Sequence, residues 1–190
     1  MYGEEEQGSQ EEVYLKFVSL AAQQQLSNDS NGNLTNTTTT TTIPQNAKGP
    51  VIPSEKGYLV DDLGGQLYSV SDGSYNAMFM VTDQGVVAID APPTLGEKYL
   101  RAIEEITDKP VSHVIYSHAH LDHIGAAGMF PQNATFIAQQ ETANELQRAM
   151  NVATNTSAVP PVPTVTFPEN MTLQFGNQTL QYIGIINGHS

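Results

Sequence analysis

The rhythm of apolar and polar positions changes near residue 57, and the chain beyond it reads as folded. GQLYSVSDG, Gly65 to Gly73, has the β-branched and aromatic content of a strand bounded by glycines. NAMFMVTDQGVVAIDAPP, Asn76 to Pro93, reads as two strands joined at Thr82-Asp83-Gln84-Gly85. The second of them, GVVAID, is almost wholly apolar, as a strand covered on both faces must be, and it ends in Asp90. Thr94 with Glu97 three residues on fits a helix start. Tyr99, Ile103 and Ile106 supply that helix's apolar stripe, and Asp108-Lys109-Pro110 ends it. PVSHVIYS then returns as a strand and runs straight into a cluster of histidines. Strand, helix and strand in that order place the cluster at a strand's carboxyl end, where α/β sheets carry their sites.

The same reading continues downstream. Ile124 to Phe130 predicts a short helix and Ala134 to Ala138 a strand. Gln139 to Met150 predicts a helix with Ala143, Leu146 and Met150 on one face. Asn151 to Val165 is a proline-rich connection. Met171 to Gly188 reads as a hairpin turning at Gly176-Asn177, its second strand leading to His189. Upstream of the change, Ser9 and Glu12 fit a capping box, and Val13, Phe17 and Ala21 recur at helical spacing. Ser27 to Pro50 is Asn/Thr/Gly/Pro-rich and nearly free of large apolar residues, which predicts a disordered linker. The organisation expected is an N-terminal segment over residues 1–57 and a folded domain over 58–190.

Charge and composition narrow the partners. Seven Lys and Arg against twenty Asp and Glu give a formal charge of −13, which argues against nucleic acid as a partner. Cysteine is absent, so no thiolate metal site, disulfide or cysteine nucleophile can form. No apolar run approaches the ~18 residues of a membrane span. The opening MYGEEEQG is acidic where a secretory signal is basic and then apolar, which points to the cytoplasm. N-x-S/T sequons at Asn28, Asn33, Asn36, Asn133, Asn155, Asn170 and Asn177, with the Thr-rich stretch, point the other way, to an exported chain.

SHAHLDH, Ser117 to His123, holds three of the five histidines. His118 and His120 stand at i and i+2, which puts both rings on one side of extended backbone, close enough to grip one ion. Asp122 and His123 follow a turn and face the same cavity from another direction. That arrangement suits two adjacent ions better than one crowded sphere. Imidazole and carboxylate without thiolate suit Zn²⁺, with iron or manganese as alternatives. Gly125 fits a sharp turn out of the loop, whereas His113, within the preceding strand, reads as a satisfied core histidine.

These residues carry a resemblance. HAHLDH is similar to the H-x-H-x-D-H signature of the metallo-β-lactamase superfamily, and Asp90 and the downstream Gly188-His189-Ser190 fit it too, from about Tyr58 to the end. The resemblance implies an αββα sandwich of two similar halves, of which this sequence supplies the N-terminal half and the first strands of the second. It implies that His118, His120 and His189 hold one zinc, that Asp122 and His123 belong to a second, and that Asp90 supports the motif loop from behind. It implies a metal-bound hydroxide attacking an ester, thioester, lactone or lactam type bond of a small-molecule substrate, with Asp122 orienting the nucleophile. The absence of cysteine excludes the thiolate β-lactamase subclass. His123 matches the pattern of glyoxalase II, lactonases, alkylsulfatases and one β-lactamase subclass. The charge of −13 counts against the RNA-processing nucleases of the family, and His120 against its flavodiiron members.

The family completes its second metal site with an aspartate and a histidine beyond the position of Ser190, so the sequence reads as truncated after the third histidine ligand. An apolar sheet face left without cover is then expected. Two other functions stand beside the hydrolase: an inactive metal-binding fragment, and a surface or carbohydrate-binding module built on the Thr-rich stretch.

Overall fold

The structure, a computed structural model, describes residues 49–176 and 178–183. The expected N-terminal helix, the expected linker up to residue 48, the turn residue Asn177 and the candidate ligand His189 lie outside the described residues.

Seven strands form one sheet in chain order: β1 (Leu59–Gly64), β2 (Leu67–Ser71), β3 (Asn76–Thr82), β4 (Gly85–Ile89), β5 (Val111–Ile115), β6 (Thr135–Gln139) and β7 (Val165–Phe167). The first four pair antiparallel, and β4 to β7 pair parallel. The switch follows from the connections. Links of two or four residues suffice for the antiparallel neighbours, whereas β4 and β5 are joined by the crossover helix α1 (Glu97–Glu104). A short helix α2 (Leu121–Ile124) and a 3-10 turn (Ala127–Met129) join β5 to β6, and α3 (Gln140–Val152) joins β6 to β7. A second sheet contains the hairpin β8 (Asn170–Phe175) and β9 (Gln178–Ile183).

Alternation along the central strands divides the core in two. Phe79, Val81, Val86, Ala88, Val114 and Phe136 face the helices and meet Tyr99, Ile103, Ile124 and Leu146. Met80, Val87, Ile115 and Ile137 face the other way and meet Phe175, Leu173, Leu180 and Tyr182 of the hairpin. The order is therefore helices, large sheet, small sheet, and β4 and β5 are covered on both faces, which is why GVVAI carries no polar side chain. Fourteen residues beyond Val111, at Gly125, the chain passes so close to its neighbours that an added Cβ would lie 2.9 Å from Pro93 and 2.4 Å from the Leu121 carbonyl. Gly125 is helical, with φ −61°, so close approach and not a sharp turn calls for glycine there.

Three expectations need correction. Thr94 does not cap α1: Gly96 occupies that position, and the preceding turn is closed by the Leu95 and Gly96 N–H groups donating to the Pro92 carbonyl. Ile106 lies beyond the helix and is exposed, while Ala102 joins Tyr99 and Ile103 on the buried face. Among the described side chains the outer face of the hairpin is polar and not apolar, since Thr172, Gln174, Thr179 and Gln181 point to solvent and Met171, Leu173, Leu180 and Tyr182 turn inward. The strands β1 and β7 were not anticipated. Among the described residues no helix is long and apolar enough to cross a membrane.

Candidate metal centre

Parallel pairing of β4 and β5, with Ile89 opposite Ile115, brings the two strand ends side by side. Asp90 leaves one and Ser117 follows the other. Asp90 takes a left-handed backbone conformation, φ 60°, which aspartate tolerates better than most residues. Its N–H donates to the Ile115 carbonyl at 2.9 Å, and the next residue, Ala91, donates to the His123 carbonyl at 2.7 Å. The turn after β4 is thereby stitched to both ends of the histidine loop.

The buried Asp90 carboxylate accepts two bonds from Ser117, from the backbone N–H to Oδ1 at 2.7 Å and from the hydroxyl to Oδ2 at 2.6 Å. The Ser117 hydroxyl has one proton, and Asp90 takes it. His118 Nδ1 lies 2.8 Å from that same Oγ, so it must be the donor there. The tautomer of His118 follows: Nδ1 carries the proton and Nε2 keeps its lone pair. Burial, reinforced by neighbouring His123, pushes this imidazole below its usual pKa and keeps it neutral.

The His118 ring lies 4.7 Å from that of His120 and 4.3 Å from that of His123, centroid to centroid. His123 Nδ1 is 3.7 Å from Asp90 Oδ2, and this carboxylate raises the pKa of His123. His123 Nε2 is 3.9 Å from Asp122 Oδ2. The same Oδ2 accepts a 2.9 Å hydrogen bond from the phenol of Tyr75, which holds the Asp122 carboxyl below its ordinary pKa. From the small sheet, the Tyr182 hydroxyl donates to the Ser117 carbonyl at 2.6 Å. The structure thus gathers Asp90, His118, His120, Asp122 and His123 at the carboxyl ends of β4 and β5. Among the described residues, no three His, Asp or Glu side chains are drawn together closely enough to hold an ion as they stand. His113 lies apart, inside β5, with Nδ1 2.9 Å from Ser112 Oγ and its ring edge-on to Phe175.

Beside the motif loop lies a cleft of about 200 Å³ lined by Ala119, Leu121, Leu146, Ala149, Ala158 and Val159, with Glu145 its one charged side chain. Ala158 and Val159 come from the proline-rich connection.

Residues 70–146, which include β4, β5 and the whole motif, match the family model described as the metallo-β-lactamase superfamily. Over that stretch the chain is similar to the metallo-β-lactamase superfamily. Solved metallo-β-lactamases share its fold. The class B3 di-zinc enzyme LRA-12 from an Alaskan soil metagenome superposes with a TM-score of 0.56 at 16% identity, over 70% of this chain and 55% of that one. BJP-1 of Bradyrhizobium japonicum, of subclass B3, does so with a TM-score of 0.53 at 19% identity, over 63% and 49%. The alpha subunit of 2,4-dinitroanisole O-demethylase from Nocardioides sp. (strain JS1661) is 30% identical over 95 residues, 48% of this chain and 29% of that subunit. The chain therefore spans less than a third of that relative and about half of the solved enzymes it resembles.

The donor chemistry fits a metal: a neutral imidazole, His118, whose Nε2 keeps its lone pair, two further imidazoles with ring centroids within 5 Å of it, and the carboxylate of Asp122. Two contacts escaped the sequence. Tyr75 and Tyr182 reach the motif from 47 and 65 positions away, and nothing local marks a tyrosine for such a task.

Proposed function

We propose that this chain carries the ligand wall of a zinc-dependent hydrolase site that cleaves an ester, thioester, lactone or lactam type bond in a small neutral or amphiphilic molecule. The observation that supports it best is the Asp90–Ser117–His118 relay, which leaves His118 Nε2 with its lone pair available to a metal at the carboxyl end of β5. His118 and His120, with His189, would hold one ion; Asp122 and His123 would contribute to a second; iron or manganese would also suit these donors. When bound, the metal supplies Lewis acidity and lowers the pKa of a coordinated water to about 7.

The residues around it have separable tasks. Asp90 and Ser117 fix the tautomer and direction of His118. Asp122 would orient the attacking water and relay its proton. Ala119, Leu121 and Val159 give the adjoining cleft an apolar wall, which favours an uncharged group there. The name of the Nocardioides relative points the same way, because 2,4-dinitroanisole is an uncharged molecule.

A metal-binding but hydrolytically inert chain is the second reading, and it is favoured by the lack of three converged donors among the described residues. Elemental analysis of the purified chain, with turnover measured on a panel of esters, thioesters, lactones and lactams, separates the two. Two ions per chain and turnover lost in His118→Ala decide for the hydrolase. One tightly held ion without turnover decides for the inert chain, and no bound ion overturns both.

A further inference from the structure

We infer that Tyr75 is a positioning residue of the metal centre: from the loop between β2 and β3 its phenol holds one carboxylate oxygen of Asp122 and leaves the other turned to the ion. The inference rests on the metal-site reading above and deepens it. The phenol donates to Asp122 Oδ2 over 2.9 Å, and the Tyr75 ring meets His123 edge-on, with centroids 5.6 Å apart at 84°. A single side chain thus touches both of the residues assigned to the second ion.

The loop that delivers Tyr75 is internally tied. Asp72 Oδ1 accepts the N–H of Ser74 at 2.9 Å and of Tyr75 at 2.8 Å, and the Asp72 N–H donates back to the Tyr75 carbonyl at 3.3 Å. Ser71 Oγ takes the Gly73 N–H at 3.1 Å. An aspartate pinning two following N–H groups is a rigid turn, so the aromatic tip has a set direction. Asp122, by contrast, sits exposed on the four-residue helix α2, with His123 Nε2 3.9 Å from the same Oδ2. A donor on one oxygen removes much of that side chain's freedom before an ion arrives. Hydrogen bonds of this kind behind metal ligands change affinity by about 10-fold or more.

The test measures zinc affinity of the full chain by competition with a chromophoric chelator, in wild type, Tyr75→Phe, Asp122→Ala and the double variant. Tyr75→Phe keeps the ring against His123 and removes only the hydroxyl; circular dichroism checks that it folds. The expected result is an affinity about 10-fold lower in Tyr75→Phe, with altered visible bands in the cobalt-loaded chain. Adding Tyr75→Phe to Asp122→Ala is expected to cost nothing further, because the tyrosine acts through that carboxylate. A merely structural tyrosine would weaken both backgrounds alike, and that result overturns the inference. So does equal zinc affinity in wild type and Tyr75→Phe. If Tyr75→Phe fails to fold, Asp72→Ala, which removes the acceptor of the Ser74 and Tyr75 N–H groups and so loosens the turn without touching the ring, takes its place: a loss in the same direction supports the inference and an unchanged affinity overturns it. A wild-type chain that takes up no zinc overturns the metal-site reading, and the role of Tyr75 with it.

Discussion

At the scale of single residues, Ser117 controls more chemistry than its size suggests. Its hydroxyl satisfies one oxygen of the buried Asp90 and fixes the protonated nitrogen of His118. Ser117→Ala removes both functions: the carboxylate oxygen loses a donor and the imidazole loses the acceptor that selects its tautomer. Zinc affinity is expected to fall about 10-fold or more, and folding stability by about 1–3 kcal/mol for the unsatisfied buried oxygen. Ser117→Thr keeps the hydroxyl and is expected to stay near wild type on both counts, which chelator competition and urea unfolding would check. Tyr58 gives a prediction in pH. Burial, followed by its hydrogen bond to Glu105, raises this phenol from the ordinary value near 10 to about 12. The native state therefore disfavours ionised Tyr58, so its contribution is whole below pH 10 and is lost as pH rises toward about 12. Unfolding midpoints of wild type should fall more steeply through that window than those of Tyr58→Phe; parallel curves would show that Tyr58 has no such role.

At the scale of elements, the hairpin β8–β9 links packing to the site. Phe175 is buried against Met80, Val87, Ile115 and Ile137, and Tyr182 on the partner strand bonds the Ser117 carbonyl. Phe175→Ala is expected to cost about 3–5 kcal/mol and, by loosening the hairpin, to weaken zinc binding without altering any ligand. Thr172→Ala, on the exposed face of β8, should change stability by no more than about 0.5 kcal/mol. Urea unfolding of the two variants tests the contrast. Elements with a strong period were the legible ones. The doubly covered β4, the turn Thr82 to Gly85 and the buried Ala143 and Leu146 of α3 all stand where their patterns put them. The strand β1 was hidden because LVDDLG, at a sheet edge, has four exposed residues and no alternation to betray it. Three-residue β7 was hidden inside the proline-rich connection. The clustering of His118, His120, Asp122 and His123 was legible because they are local in sequence; Tyr75 and Tyr182 were not, because only the folded sheets bring them there.

At the scale of the whole molecule, the charge of −13 favours cations over anions around the chain. The same imbalance works against the compact state. Twenty acidic residues face seven basic ones, and among the described residues Lys56–Glu105 is the one Lys or Arg ion pair with a carboxylate. Repulsion should then exceed attraction in the net surface term. Raising ionic strength from 0.01 to 0.15 M shortens the screening length from about 30 to about 8 Å, which quiets repulsion between distant carboxylates while costing an exposed pair little. Salt should therefore stabilise this chain. Relief of about 1 kcal/mol corresponds to roughly 2–4 °C for a protein of this size. Thermal melts of metal-free protein in a chelator-treated buffer, with sodium chloride as the variable, isolate this effect from ion binding at the site. A midpoint that rises and then levels near 0.15 M supports the repulsion account. A midpoint that falls would mean that ion pairs, not excess carboxylates, dominate the surface.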